Sequence, residues 1–591
     1  MNLLQFLQQQ FHQALKDLTA DPAPYVAMVK PAQDARHGDY QANCAMALAK
    51  ELGRKPRDIA QEIRQRIPTG DWLMPPEIAG PGFINLRLRP EWLAQQLPIM
   101  ARDPRLGVAA ASPPRTLVID FSSPNVAKPM HVGHLRSTII GESLARLQRF
   151  LGHHVVTDNH LGDWGTQFGM LLYGYKHFHN EEALKADPVR EMARLYIHVR
   201  GLMDATDDDA PENLSNPIAE AVRQETVKLH AGDAENVRLW QMFMPWCREE
   251  IDRIYRRLDV RFDHTHGESF YNPMLPDIVR SLLERGIAQE SEGAVVIFLR
   301  ENEPPALIRK KDGAFTYTTS DLATIRYRVE AWRPDATLYV VDFRQALHFK
   351  NLFEVARRWG YDKVELEHIS FGSVLGADRR PIKTREGGAI ELGQLLDEAV
   401  QRGRTVYEQT RAERVARSED VLELSAEERQ RIAEVVGLGA VKYADLSQNR
   451  TSDYVFNWDK MLAMDGNTST YMQYAYARVR SIFRKGGDKE DLFRSNPPDV
   501  SLGTPAERVL ALQLLRLNES LEAAALEYKP NLITAYLWDL TKAYSNFFEN
   551  CPVLKAETTS LRQSRLLLCD LTGRVIAQGL ELLGIQTVER M

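Results

Sequence analysis

Cysteine is scarce: Cys44, Cys247, Cys551 and Cys569 are the only four in 591 residues, and no two form a Cys-x-x-Cys pair. That spacing offers neither a disulfide framework nor a zinc knuckle and suits a reduced, cytoplasmic compartment. Long apolar runs are missing as well; no stretch approaches the roughly 20 residues needed to cross a bilayer. The amino terminus lacks a basic segment and a small-residue cleavage site. Leu3, Leu4, Leu7, Phe11 and Leu15 fall at helical spacing, so a folded amphipathic helix is expected there instead of a secretion signal. There is no basic excess, since 74 Lys and Arg against 80 Asp and Glu leave a net charge of −6. That balance does not exclude a nucleic-acid partner, because phosphate contacts need local basic surface and not a basic total. No internal repeat of solenoid length occurs. With 591 residues the chain exceeds what one hydrophobic core holds, so several domains are expected.

Three composition breaks mark the chain, at Ala109–Pro114, between Gly403 and Leu424, and more softly at Lys485–Pro498. They predict an α+β unit over 1–112, a parallel-sheet unit with inserted elements over 113–402, and a helical unit over 403–591 whose terminal bundle starts at about 455. Lys485–Pro498 reads as a loop within the last unit, and the acidic run Asp207–Asp209 as a solvated loop within an insertion. In the middle unit Thr116–Phe121 is an apolar, β-branched strand, followed by a helical pattern from His134 to Phe150 that Gly152 closes. Val155–Thr157 resumes the extended pattern, and further strands are expected at Thr337–Asp342 and Val364–Ser370. In open parallel sheets ligands bind beyond the carboxyl ends of the strands.

Between the first strand and its helix runs Ser122-Ser-Pro-Asn-Val-Ala-Lys-Pro-Met-His-Val-Gly-His134. A helix amino terminus offers unpaired N–H groups to phosphate, and Gly133 leaves room for a nucleotide to approach the backbone. An isolated His-x-x-His is an ordinary surface turn or half a zinc site. Zinc needs a further ligand, and neither Asp158 nor His160 completes a known ligand pattern, so no metal site is expected. The longer run Phe121–Glu142 resembles the first signature of class I aminoacyl-tRNA synthetases in its arginyl form, and the resemblance to arginyl-tRNA synthetases extends over essentially the whole chain.

The resemblance implies a Rossmann-type catalytic domain, an α+β amino-terminal domain that contacts the corner of transfer RNA, and a carboxyl-terminal helical bundle that binds the anticodon. It implies that the arginine carboxylate attacks the α-phosphorus of ATP, that pyrophosphate leaves with magnesium, and that the acyl group passes to the 2′-hydroxyl of the terminal ribose of tRNA(Arg). His131, Gly133, His134 and Lys128 are then the expected ATP-binding group. The family's second, lysine-bearing signature is degraded here to Pro381-Ile-Lys-Thr-Arg385, leaving Lys383, Arg385 and Arg380 as cations, with Lys128 substituting for the missing lysine. Tyr317-Thr-Thr-Ser-Asp321 resembles the family element in which a tyrosine and an aspartate meet the substrate guanidinium. Ser123, Asn125, His134 and Gln345 match positions near its backbone end, and Glu292 is a further candidate carboxylate.

Both His37–Asn43 and Ala79–Leu86 resemble the family's amino-terminal domain. The resemblance implies that Phe83 stacks on a D-loop base and Asn85 bonds its edge, and alternation, with Phe83, Asn85 and Arg87 on one face, favours an exposed Phe83. Tyr471–Ile482 resembles the start of the anticodon-binding domain. Tyr536 and Tyr544, which with Asn546 and Phe548 precede a family-like Glu549–Leu554, are candidate tRNA contacts, and the terminal Met591 is expected near the anticodon. The resemblance further implies a monomer without membrane association.

Overall fold

The computed structural model of the chain describes residues 2–204, 216–301, 303–380, 382, 390–416 and 423–591; Lys383, Arg385 and the run Asp207–Asp209 lie outside the described residues. The first helix, Leu3–Leu15, buries Leu3, Leu7, Phe11 and Leu15, as the spacing predicts. Asn2 caps it, its side-chain oxygen accepting from the Gln5 amide at 3.0 Å. The helix packs on an antiparallel sheet of β1 (Val29–Pro31), β2 (Tyr40–Ala42), β3 (Glu77–Ala79) and β4 (Phe83–Leu86) in the order β1-β2-β4-β3. This unit has its own core, which Leu512 of the terminal bundle also enters.

The central sheet is fully parallel and has the order β11-β10-β5-β6, from β5 (Thr116–Asp120), β6 (His154–Asp158), β10 (Ala336–Tyr339) and β11 (Glu365–His368). From β5 the chain moves outward to β6 on one side and later to β10 and β11 on the other. The strand order therefore reverses beside β5, which is where such sheets bind ligands. After β6 come the helices Pro188–Asp204, Pro217–His230 and Ala234–Leu258, then a small antiparallel sheet of β7 (Gln289–Ser291), β8 (Ala294–Ile297) and β9 (Ala306–Arg309). The crossover helix Val132–Phe150 lies so close over β5 that a Cβ at Gly141 would come within 2.1 Å of the Phe121 ring.

Beyond the sheet, β12 (Val374–Leu375) pairs in parallel with β13 (Tyr454–Val455). The helix Leu392–Ala416 runs unbroken through the expected 402/403 division. It crosses the helix Ala426–Leu446 where Gly403 meets Gly437, and a Cβ on Gly437 would sit 2.2 Å from the Ala399 carbonyl oxygen. The composition change at Gly403 thus marks a close helix crossing inside one element. A second correction concerns Lys485–Pro498, which contains the short helix Glu490–Ser495; Phe493 is buried against Phe483, with ring centroids 5.7 Å apart, and this contact orders a stretch that reads as polar. The terminal bundle comprises Ser469–Gly486, Pro505–Leu515, Leu517–Leu526, Asn531–Asn550 and Thr559–Leu582, and it shares one continuous core with the parallel sheet. The architecture is thus α/β with an α+β domain before it and an all-α bundle after it. Among the described residues no helix is long and apolar enough to cross a membrane.

Candidate functional site

Past Asp120 the chain turns sharply, with Ser122 and Ser123 at φ of 72° and 47°. Hydroxyl contacts hold this unfavourable backbone: Ser122 Oγ lies 2.8 Å from both Thr138 Oγ1 and Tyr255 OH, and Ser123 Oγ donates to Asp120 Oδ1 at 3.0 Å. Asn125 lies against Gly162, whose Cβ, if present, would be 2.1 Å from Asn125 Oδ1. The loop ends in a capping box in which both partners are histidines. His131 Nδ1 accepts from the Gly133 amide and His134 Nδ1 from the His131 amide, each at 3.1 Å, with the rings 4.0 Å apart. Because both Nδ1 atoms accept, a neutral ring carries its proton on Nε2, leaving two outward donors at a helix amino terminus. Burial pushes the pKa of His134 down to about 3 and also lowers that of His131, the Lys128 cation adding to both shifts. Both rings are therefore neutral donors and not proton-transfer acids.

Lys128 is half-buried, and burial followed by the Arg200 cation lowers its pKa. It lines a cavity of about 790 Å³ between this loop and the inserted helices Pro188–Asp204 and Ala234–Leu258. The far end of the second-signature segment is fastened to the same loop, since Val132 N donates to Ile390 O at 3.0 Å and Leu392 N to Met130 O at 2.8 Å. Its near end leaves from β12 through an exposed turn at Arg380.

The helix Tyr317–Trp332 carries the expected arginine-binding pair. Tyr317, in its first turn, is 69% exposed at the mouth of the site, and Asp321 Oδ2 is 2.6 Å from His348 Nε2. The Tyr317 and His348 rings meet edge to face at 4.9 Å. Two turns on, fully buried Arg328 bonds Asp120 at 2.7 Å and Asp158 at 2.9 Å, tying this helix to the carboxyl ends of β5 and β6. Gln345 is exposed in a 3₁₀ turn shortly after β10.

Glu268 opens the short helix Glu268–Tyr271, its amide donating to the Leu161 carbonyl at 3.0 Å. Asp163 holds the start of that helix by accepting from the Ser269 amide at 2.8 Å and from Ser269 Oγ at 2.6 Å. Burial raises the Glu268 pKa, with the charges of Asp163 and Asp321 adding and that of His160 opposing. Nearby buried polar atoms, His160 Nδ1, His266 Nδ1, Asp158 Oδ1 and Tyr271 OH, have no hydrogen-bond partner among the described residues. A carboxylate beside an aromatic ring, as at Asp321 and Tyr317, suits a planar cation. Glu292 stands on an exposed turn and pairs with Lys311 at 3.3 Å. Sequence reasoning missed Glu268 and His348, which no local pattern links to Tyr317.

On the RNA side Phe83 is half-exposed, but Asn85 is only 7% exposed and accepts from Gln41 Nε2 at 2.8 Å. Its strand is central, with Gln41 and Glu77 flanking Asn85 in register, so the neighbours cover the face that alternation alone leaves open. Tyr536 and Tyr544 are also corrected to core positions. Both are buried, and the Tyr536 hydroxyl donates to Gln513 O at 3.0 Å. Phe548 of the same helix is exposed instead. With Tyr407, Tyr474, Arg411, Arg478, Arg484 and Lys485 it lines a cavity of about 540 Å³ that Met591 borders. The Arg478 guanidinium lies 4.7 Å over Tyr474 and 5.2 Å from the Phe548 ring centroid. Such aromatic and cationic lining suits stacked single-stranded bases.

Residues 97–458 match the family described as tRNA synthetases class I (R), catalytic domain, and the parallel sheet with its histidine-capped crossover accordingly defines a class I aminoacyl-tRNA synthetase. Residues 5–88 match the arginyl tRNA synthetase N terminal domain, and residues 472–591 the DALR anticodon binding domain. Curated relatives described as arginine–tRNA ligase from Rhodopirellula baltica and Cellvibrio japonicus are 43% and 44% identical, the match covering 100% of this chain and of each relative. One from a Synechococcus species is 45% identical over 95% of both. Solved arginyl-tRNA synthetases are similar as well: that of Plasmodium falciparum at 27% identity and TM-score 0.82 over 100% of this chain and 99% of that one, and that of Thermus thermophilus at 25% and 0.81 over 100% of both. The chain belongs to the arginyl-tRNA synthetase family, and its activity is the ATP-dependent ligation of arginine to transfer RNA.

Proposed function

We propose a division of labour for this reaction in which the protein positions reactants and stabilises charge, with little covalent chemistry of its own. His131 and His134 donate Nε2–H groups to phosphate oxygens and adenosine, and Gly133 admits the nucleotide. Lys128 balances charge at the α-phosphorus as pyrophosphate leaves, with ATP arriving as its magnesium complex. Lys383 and Arg385 add charge from the second-signature segment. Asp321, Glu268 and Tyr317 receive the L-arginine guanidinium, while Ser123, Asn125, His134 and Gln345 hold its α-amino and carboxylate end. AMP leaves after acyl transfer to the 3′-terminal ribose of tRNA(Arg).

On the RNA, Phe83 stacks on a D-loop base at the corner, and the cavity at Tyr474, Phe548 and Met591 takes the anticodon. The protein acts as a monomer in the cytoplasm, a compartment that suits four buried free thiols. The observation that carries the reading is the Tyr317–Asp321–His348 cluster, on a helix that Arg328 ties to the carboxyl ends of β5 and β6. Asp321→Asn tests it: the KM for arginine is expected to rise by about 30-fold, equivalent to roughly 2 kcal/mol, with the KM for ATP unchanged. Equal losses for both ligands contradict it.

A further inference from the structure

Within the segment His37–Asn43, which resembles the family's amino-terminal domain, Asp39 and Tyr40 are buried against the terminal bundle. Asp39 Oδ1 and Oδ2 accept from Arg508 Nη1 and Nη2 at 3.1 and 2.6 Å, and Oδ2 also accepts from the Leu88 amide at 2.7 Å. Arg508 donates further to the Leu88 carbonyl at 3.0 Å, so one guanidinium grips two segments of the amino-terminal domain. Arg516 donates to the Asp39 carbonyl at 2.5 Å and lies 4.8 Å over the Tyr40 ring, whose hydroxyl donates to Glu519 at 2.9 Å. The Asp39 and Arg508 side chains are 4% and 17% exposed. A forked pair of this kind, withdrawn from water, fixes direction as well as distance.

The pair joins two continuous bodies. On one side Gln41, next in β2 after Tyr40, holds Asn85 of β4, two residues from Phe83. On the other side Arg508 lies on the helix Pro505–Leu515, which packs against Asn531–Asn550, the helix that carries Phe548.

We propose that Asp39 and Tyr40, with Arg508, Arg516 and Glu519, form an interdomain lock that fixes the spacing between the corner-reading and anticodon-reading surfaces, so that one transfer RNA is gauged at both points. These are positioning residues, and the RNA part of the proposal rests on the reading of Phe83 and the Phe548 cavity given above.

The test uses the full-length chain with Asp39→Asn, Arg508→Met, and both together. Aminoacylation is measured on tRNA(Arg) transcripts carrying single abasic D-loop positions. In the unsubstituted chain one abasic position is expected to raise the tRNA KM by about tenfold. In Asp39→Asn that penalty falls below about twofold, the KM for intact tRNA rises about tenfold, and the KM values for arginine and ATP stay within about twofold. The double variant loses no more than the single ones, since both break the same pair. A full abasic penalty retained in Asp39→Asn, or losses that multiply in the double variant, overturns the lock. If no abasic position matters even in the unsubstituted chain, the Phe83 reading has failed, and the lock is judged by the distance between dyes on Lys50→Cys and Leu526→Cys. That distribution broadens in Asp39→Asn if the lock exists, and an unchanged distribution overturns it. Should Asp39→Asn fail to fold, the milder Tyr40→Phe and Arg516→Lys variants carry the same measurements.

Discussion

Each signature histidine spends its Nδ1 on the helix cap and in its neutral form keeps the proton on Nε2, so the same bonds that start the helix also choose the tautomer. The low pKa of His134, about 3 against the ordinary 6.5, has a consequence for stability. Between those values the unfolded chain binds more protons than the folded one, so this residue's contribution is fully present above pH 6.5 and is lost as pH falls towards 3. His134→Gln, an uncharged donor, is expected to make the fall in Tm from about pH 7 to about pH 5 less steep, and an unchanged slope contradicts the assignment. For Lys128→Ala the expectation is a drop of about 100-fold in the turnover of adenylate formation with little change in arginine affinity, and near-normal pyrophosphate exchange rules it out. Tyr317 and Asp321 stand out as candidates in the sequence because their segment resembles a family element and their spacing of four puts them on one side of a helix start. His348 does not, because it meets them from the next helix, Ala346–Trp359, and only tertiary packing brings it there.

Strands and helices with a strong period were read within a few residues of their ends. Thr116–Phe121 became Thr116–Asp120, and Val155–Thr157 became His154–Asp158. Elements that depend on neighbours were not: the alternation at Phe83–Arg87 exposes Asn85 only if β4 is imagined without β2 and β3. Likewise Tyr536 and Tyr544 share a helix with Phe548, and period alone does not say which ring faces the core. Glycine has a sharper meaning at this scale. At the crossing of Leu392–Ala416 over Ala426–Leu446 the backbones nearly touch, so Gly437→Val is expected to cost about 2–3 kcal/mol by forcing the helices apart. Thermal unfolding reads this directly, and a Tm equal to that of the unsubstituted chain contradicts so close a crossing.

At the scale of the molecule, three matched regions lie along one chain whose parallel sheet and terminal bundle share a core, while the amino-terminal domain adds a second core that the bundle's Leu512 enters. The three regions are therefore packed against one another, and the likeness of His37–Asn43 to the family's amino-terminal domain gives no hint that Asp39 and Tyr40 contact the terminal bundle. The most direct test of the whole account is ATP–pyrophosphate exchange by the purified chain, run with each amino acid in turn, with and without tRNA(Arg). Exchange is expected with arginine when the RNA is present, to fall in Lys128→Ala, and to need far more arginine in Asp321→Asn. Exchange driven by a different amino acid, or exchange with arginine that neither substitution alters, would contradict it.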